Sequence, residues 1–292
     1  MKDPATVIGG LPIWSGPVTV EPLAGGLSNA NFKVDDGGRR FMVRLGADLP
    51  FHHVFRDREM AVSRAAHAAG ISPPLVHAQP GIAVFGFLDA RTLDAADVRR
   101  EWHRVLPLLR RVHREVARHL QGPAPFFWVF HVIRDYAATL AAGGSRMAGD
   151  LPELLAVAER LEAAQPPMPV VLGHHDLLPA NLLDDGDRLW LVDWEYGGYG
   201  TPLFDLANLA GNAGLPEADE RALLAGYFAQ EPDAILWRAY RAMKVASLLR
   251  ETLWSLVSEI LMDAPGVDYR AYTADNLERF QAALADWQES ER

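Results

Sequence analysis

Asp176, Asn181 and Asp193 are the residues whose types and spacing point most clearly to chemistry. His174, Asp176 and Asn181 are spaced as H-x-D-x-x-x-x-N, and Asp193 follows an apolar run, so the polar groups sit in a hydrophobic frame. Such a frame is a costly place for polar side chains unless they are used. Phosphoryl transfer from a nucleotide asks little of a protein. One carboxylate orients the attacking hydroxyl and accepts its proton, while an amide and a second carboxylate hold the magnesium that neutralises the phosphates. Asp176 suits the first task. Asn181 and Asp193 suit the second, because hard cations prefer oxygen ligands. Taken singly, Asp176 or Asn181 would serve as a turn or cap residue, and His174 is expected to brace the loop.

These groups need elements to hold them. "PVVLG" and "RLWLVDW" predict short strands flanking the loop. Upstream, "PVTVEPLAGGLSNANFKVDDGGRRFMVRLG" predicts two or three strands, with turns at Gly25-Gly26 and at Asp35-Asp36-Gly37-Gly38. The glycine-bearing turn in "LAGGLSNANF" can bring backbone N–H groups close to phosphates. "FMVRLG" carries Arg44 inward among apolar neighbours, a candidate cation for the α- and β-phosphates. A helix over 57–69 follows, closed by Gly70, and its Glu59 is placed to pair with Arg44. "GIAVFGFL" predicts one more buried strand.

Beyond it the pattern turns helical, with helices expected near 126–142, 151–164, 203–211, 217–229 and 232–262. The expected fold is therefore α+β and bilobal: a small β-rich N-lobe over 1–88 and a larger, mainly helical C-lobe over 89–292. A ligand belongs in the cleft between them. Glycine turn, strand cation, helix acid, lobe link, H-x-D-x-x-x-x-N and strand aspartate follow in the order of the protein-kinase plan.

Composition narrows the classes. At 292 residues and 49% hydrophobic, the chain can bury a substantial core. It has no cysteine, which removes disulfides, thiolate zinc sites and cysteine nucleophiles. No apolar run reaches the roughly 18–20 residues of a membrane span, and "MKDPATVIGG" lacks the basic start and apolar stretch of a secretory signal. A soluble, cytoplasmic protein with no membrane partner is expected. A net charge of −10 argues against nucleic acid as a partner and is compatible with a cationic ligand.

"GGLSNANF", "FMVRLG", "HHDLLPANLL" and "VDWEYGGYGTPLFDLAN" together resemble the choline/ethanolamine kinase branch of the aminoglycoside phosphotransferase-like superfamily, most closely its bacterial choline kinase-like members. The likeness runs from about Glu21 to past Trp254. It implies ATP and Mg2+ as cofactors, with Asp176 as catalytic base, Asn181 and Asp193 as metal ligands, and Arg44 as the phosphate contact braced by Glu59. It also implies that Ser28 and Asn29 lie in the phosphate-covering turn and that Phe85 to Leu88, including Phe87, is the lobe link facing adenine. Asp205 is expected to support the C-lobe loops. "DWE" stands where protein kinases have D-F-G and no A-P-E follows, so neither an activation loop nor a protein substrate is expected.

The acceptor is expected to be a small alcohol, choline or a similar amino alcohol. A quaternary ammonium offers no hydrogen-bond donor, so its site relies on aromatic faces and carboxylates. Glu195, Tyr196, Tyr199 and Trp254 are the candidates. Trp254 matches one of two tryptophans lining the choline pocket of eukaryotic relatives, and Glu251 replaces the other. Alternatives are a kinase for an aminoglycoside, a thiamine-like alcohol or a sugar, or a non-catalytic nucleotide-binding protein of the same fold.

Overall fold

A computed structural model describes residues 3–23, 29–264 and 266–291. The chain starts with a short helix, α1 (Pro4–Gly9), capped by the Asp3 side chain accepting from the Thr6 N–H at 3.1 Å. Five strands follow: β1 (Thr19–Leu23), β2 (Ala30–Asp36), β3 (Arg39–Leu45), β4 (Leu75–Gln79) and β5 (Ile82–Gly86). They form one antiparallel sheet in the order β1-β2-β3-β5-β4. Period-two alternation splits its side chains between two layers. Val34, Val43 and Val84 pack with Ile8 and Leu11 of the N-terminal segment. Ala83 and Phe85 pack with Met42 and with Met60 of the helix α2 (Arg56–Ala68). Arg44 lies opposite Ala83 and so shares the α2-facing side.

After β5 the chain leaves this sheet. The strand β6 (Arg91–Thr92) pairs with β8 (Leu182–Asp184), which forms a hairpin with β9 (Leu189–Leu191). A two-stranded unit, β7 (Val171–Gly173) with β10 (Gly198–Gly200), lies on either side of that hairpin in sequence. The remaining elements are helices: α3 (Ala95–Glu115), α4 (Val129–Ala142), α5 (Leu151–Ala163), α6 (Pro202–Ala213), α7 (Glu217–Phe228), α8 (Ala234–Leu261) and α9 (Tyr269–Ser290). Every residue of α8 from Val245 to Ser258 is buried. A helix closed in on all sides is a central one, and α8 packs against α4, α6 and α9.

The α+β plan expected from the sequence holds. α6 extends past the expected 203–211, from its Thr201 cap to Gly214 in the left-handed region. The elements not anticipated were α1, β4, the short strands β6, β8 and β10, and α9. In α9 the buried positions are Tyr269, Thr273, Asn276, Phe280 and Trp287, too thin an apolar stripe to stand out from its many charges. The turn at Gly25-Gly26, with Ser28, lies outside the described residues.

Candidate active site

The crevice is built around two networks, one on each side of Asp176. On the first side, Arg44 Nη1 bonds Glu59 Oε1 and reaches Asp193 Oδ1 at 2.9 Å. Arg44 is 5% exposed and Glu59 1%, so this joins β3 to α2 and to the end of the β8–β9 hairpin through buried charges. Arg56, at the first position of α2, adds a second tie. Its Nη1 donates to Glu59 Oε2 at 2.6 Å and to Glu195 Oε2 at 3.1 Å, and its Nη2 donates to Asn29 Oδ1 at 2.7 Å. Asn29 Nδ2 in turn donates to Glu195 at 3.3 Å. Glu195 thus sits among the nucleotide-side charges. Burial, with Asp193 close by, pushes its carboxyl up to about 7.

Asp176 and Asn181 are fixed by the loop between β7 and β8. Asn181 Nδ2 donates to the Asp176 carbonyl at 2.8 Å and approaches its Oδ2 at 3.5 Å. The Asn181 carbonyl accepts from the Val192 N–H at 3.0 Å, so Asn181 and Asp193 emerge at the same end of the hairpin. His174 braces the turn: its Nε2 donates to the Val192 carbonyl at 2.9 Å, and its Nδ1 accepts the Asp176 N–H at 3.3 Å. Burial holds its pKa below the ordinary value, which suits a neutral ring making those two bonds.

Asp205 anchors the same turn from α6. Its two oxygens accept the N–H groups of His174 and His175, each at 2.8 Å, and Oδ2 also bonds His113 Nε2 at 2.9 Å. His175 has φ +62, and successive N–H groups around a left-handed residue form a concavity for an anion. Despite complete burial, these donors hold the Asp205 carboxyl below its usual range. The His175 ring fills the space between β7 and β10. A Cβ added at Gly173 or Gly200 would fall 2.7 Å from its Nε2, so both strands need glycine there. Asp193 is also left-handed, at φ +69. Such backbone costs about 1–3 kcal/mol and gathers at functional sites.

On the other side of Asp176 lies an aromatic cluster set by α8. Trp254 Nε1 donates to the Tyr196 hydroxyl at 2.9 Å. The Trp254 ring stacks on His52 at 4.6 Å and meets Tyr272 edge-on at 6.1 Å. Glu251 accepts from the Tyr272 hydroxyl at 2.8 Å and from Arg250 Nη1 at 2.8 Å. The Arg250 guanidinium lies 4.3 Å over the Tyr196 ring, and its Nη1 is 3.9 Å from Asp176 Oδ1. Burial raises the Asp176 carboxyl well above the ordinary carboxylate value. Arg250 opposes this, while Glu251, Glu195 and Asp193 reinforce it.

The crevice thus brings together Arg44, Glu59, Asn29, Asp176, Asn181, Asp193, Glu195, Tyr196, Glu251 and Trp254, with His174 and Asp205 beneath. Tyr199 and Phe87 stand apart. Tyr199 is tied on β10 by backbone bonds to Pro125 and Phe127, and its side chain makes no hydrogen bond or ring contact among the described residues. Phe85, buried under α2, does reach the crevice: its ring lies 5.9 Å from the Arg44 guanidinium and lines a small cavity with Glu59 and Asp193, whereas Phe87 lies against Lys33 and Arg40. Arg56, Arg250, His52 and Tyr272 were missed. Arg56 had a local signal, three residues before Glu59 at a helix start. Arg250 had another, a charged Arg-Glu pair inside the apolar run "LLRETLWSLV".

Asn181 and Asp193 fit a magnesium ion as two members of an oxygen-only set. The Asn181 amide nitrogen is engaged at Asp176, which leaves its oxygen available, and Asp193 Oδ2 makes no bond among the described residues. No group of three His, Cys, Asp or Glu side chains placed to hold a metal occurs among the described residues. That suits an ion completed by phosphate oxygens and waters, as magnesium usually is.

A sheet carrying a buried Arg–Glu–Asp relay above a helical half with an Asp–Asn loop is the plan of a protein-kinase-like phosphotransferase. A family model described as "Phosphotransferase enzyme family" matches residues 19–244, and the chain belongs to that family. Protein LicA of Haemophilus influenzae is 26% identical over 272 residues, 89% of this chain and 77% of that one. A choline/ethanolamine kinase family protein from Mesorhizobium loti superposes with a TM-score of 0.74 at 28% identity, covering 96% of this chain and 93% of its own. Choline kinase LicA from Streptococcus pneumoniae has the same fold, with a TM-score of 0.74 at 20% identity over 92% and 93% of the two chains. The protein is an enzyme of kinase-type phosphoryl transfer, similar to choline and ethanolamine kinases.

Proposed function

We propose that the enzyme transfers the γ-phosphoryl of ATP to the hydroxyl of choline or a similar small amino alcohol, in a cleft between lobes divided at 88/89. The observation that carries this reading is the position of Asp176. Its carboxyl lies beside Asn181 and between the Arg44–Asp193 network and the Trp254–Tyr196 cluster. Asp176 accepts the proton of the attacking hydroxyl as the new O–P bond forms and the bond from the γ-phosphorus to the β–γ bridging oxygen breaks, releasing ADP.

Arg44, aimed by Glu59, contacts the nucleotide phosphates, and its Nε is buried without a partner among the described residues. Asn181 and Asp193 would hold Mg2+, which when bound offsets the charge of the phosphate oxygens. Ser28 and Asn29 belong to the turn covering the phosphates, and the backbone near Phe85 and Phe87 to adenine. Trp254, Tyr196 and Glu251 face the acceptor, with Glu195 at its margin. The absence of cysteine and the use of ATP both favour the cytoplasm, and no helix among the described residues is long and apolar enough to cross a membrane.

The test is ADP release from Mg-ATP with choline, ethanolamine, further amino alcohols, thiamine, aminoglycosides and simple sugars. Amino alcohols are expected to stimulate release. Turnover confined to thiamine, an aminoglycoside or a sugar would refute the acceptor class.

A further inference from the structure

Arg250 is an odd occupant for a pocket that receives a cation. It is 1% exposed, and among the described residues only one of its three nitrogens makes a hydrogen bond, Nη1 to Glu251. Its Nε and Nη2 are buried with no partner among the described residues. A buried donor left unpaired is costly, and each calls for an explanation. Both Glu251 oxygens are already engaged, one by Arg250 and the other by Tyr272, so its charge is shared with the guanidinium rather than reserved for a ligand ammonium.

His52, stacked on Trp254, adds the opposite polarity. The Ser258 hydroxyl hydrogen goes to the Trp254 carbonyl, so Ser258 Oγ accepts from His52 Nε2 at 2.9 Å. His52 Nδ1 is then a bare acceptor, also buried and unpartnered. The cluster therefore offers two free donors and one free acceptor around the aromatic rings.

We propose that Arg250 binds an oxyanion on the acceptor, so that the phosphorylated alcohol is a zwitterion, an amine and a carboxylate on one small hydroxylated molecule. This rests on the amino-alcohol reading above and narrows it. The phosphoryl group is the rival partner for those donors, but the charges divide by side. Arg44 faces Asp193, Glu59 and Glu195, whereas Arg250 faces Glu251, Asp176 and the hydroxyls of Tyr136 and Tyr196. Arg250 thus belongs to the acceptor side. A simple cation would add a second positive charge beside a guanidinium, while a zwitterion adds none and satisfies both kinds of free group.

Two matched pairs test this: ethanolamine against serine, and choline against carnitine, each pair differing in a carboxylate-bearing group. ADP release is measured with wild type, Arg250→Met and Arg250→Lys, and circular dichroism melting establishes folding. In wild type the carboxylated member of at least one pair is expected to have the higher kcat/KM by about tenfold or more. Arg250→Met should erase that ratio, and Arg250→Lys should keep part of it. A wild type that favours the uncarboxylated member of both pairs overturns the proposal while leaving the amino-alcohol reading intact. So does an Arg250→Met that slows both members equally, which a packing role would produce. Turnover of none of the four overturns both. Should Arg250→Met fail to fold, the wild-type ratio and Arg250→Lys decide.

Discussion

Asp176 must be ionised to accept a proton, yet burial raises its carboxyl well above the ordinary 3.8. Activity that depends on the unprotonated form is lost as pH falls through that raised value, so kcat/KM should decline on acidification well before an ordinary carboxylate would protonate. A pH–rate profile checks this, and a rate constant down to pH 4 would contradict it. Glu59 is a positioning residue for Arg44, and its role separates from catalysis by kinetics. Glu59→Gln weakens the aim of the guanidinium and is expected to raise KM for ATP about tenfold with a smaller change in kcat. At this scale the sequence was informative where the partners are near one another. Asp176, Asn181 and Asp193 lie in one strand–loop–strand stretch, and their order alone suggested a shared site. Arg56 and Arg250 had only faint local signals, because their meaning depends on Glu195 and Asp176, far away along the chain.

The loop between β7 and β8 owes its shape to α6, through Asp205. Because donors depress the Asp205 carboxyl below its usual range, its contribution to stability is fully present above 3.8 and is lost as pH falls below that. Asp205→Asn sets an amide against N–H groups and should cost about 3 kcal/mol at neutral pH, or at least ~5 °C in Tm. Differential scanning calorimetry measures it, and the gap from wild type should narrow toward pH 3. The short turn at Pro50–His52 slopes the same way for a different reason, and in a higher pH window. Burial, together with Arg250, lowers the His52 imidazole to about 3, so the unfolded chain binds a proton there that the folded chain refuses. Stability should therefore fall between pH 6.5 and 3, and His52→Phe should make that slope shallower by up to ~1.4 kcal/mol per pH unit. An unchanged slope in denaturant titrations would rule this out. β2, β3, α2 and α8 were legible from periodicity. α9 was not, because most of its turns carry charge, and with it Tyr272 was lost from view.

Across the whole molecule, α2 sinks Val62, Ala65 and Ala66 into the main core of the helical half, and charged pairs add ties at the crevice. Arg44–Asp193 and Arg56–Glu195 tie the sheet and α2 to the segment after β9. The order of parts along the chain was enough to anticipate a sheet-bearing half, a helical half and a crevice between them. It did not foretell that Glu195 would belong to the tie rather than to the aromatic cluster, because neighbours in "DWEY" point to opposite sides. The central claim is that this crevice moves a phosphoryl group from ATP to an alcohol using Asp176. The most direct measurement is phosphorus NMR of Mg-ATP mixed with an amino alcohol and either wild type or Asp176→Asn. Wild type should yield ADP and a phosphomonoester resonance that requires the alcohol, and Asp176→Asn should lower that rate by about 10²–10⁴ while still binding ATP. An ester formed equally fast by Asp176→Asn, or inorganic phosphate as the sole product of wild type, would contradict the claim.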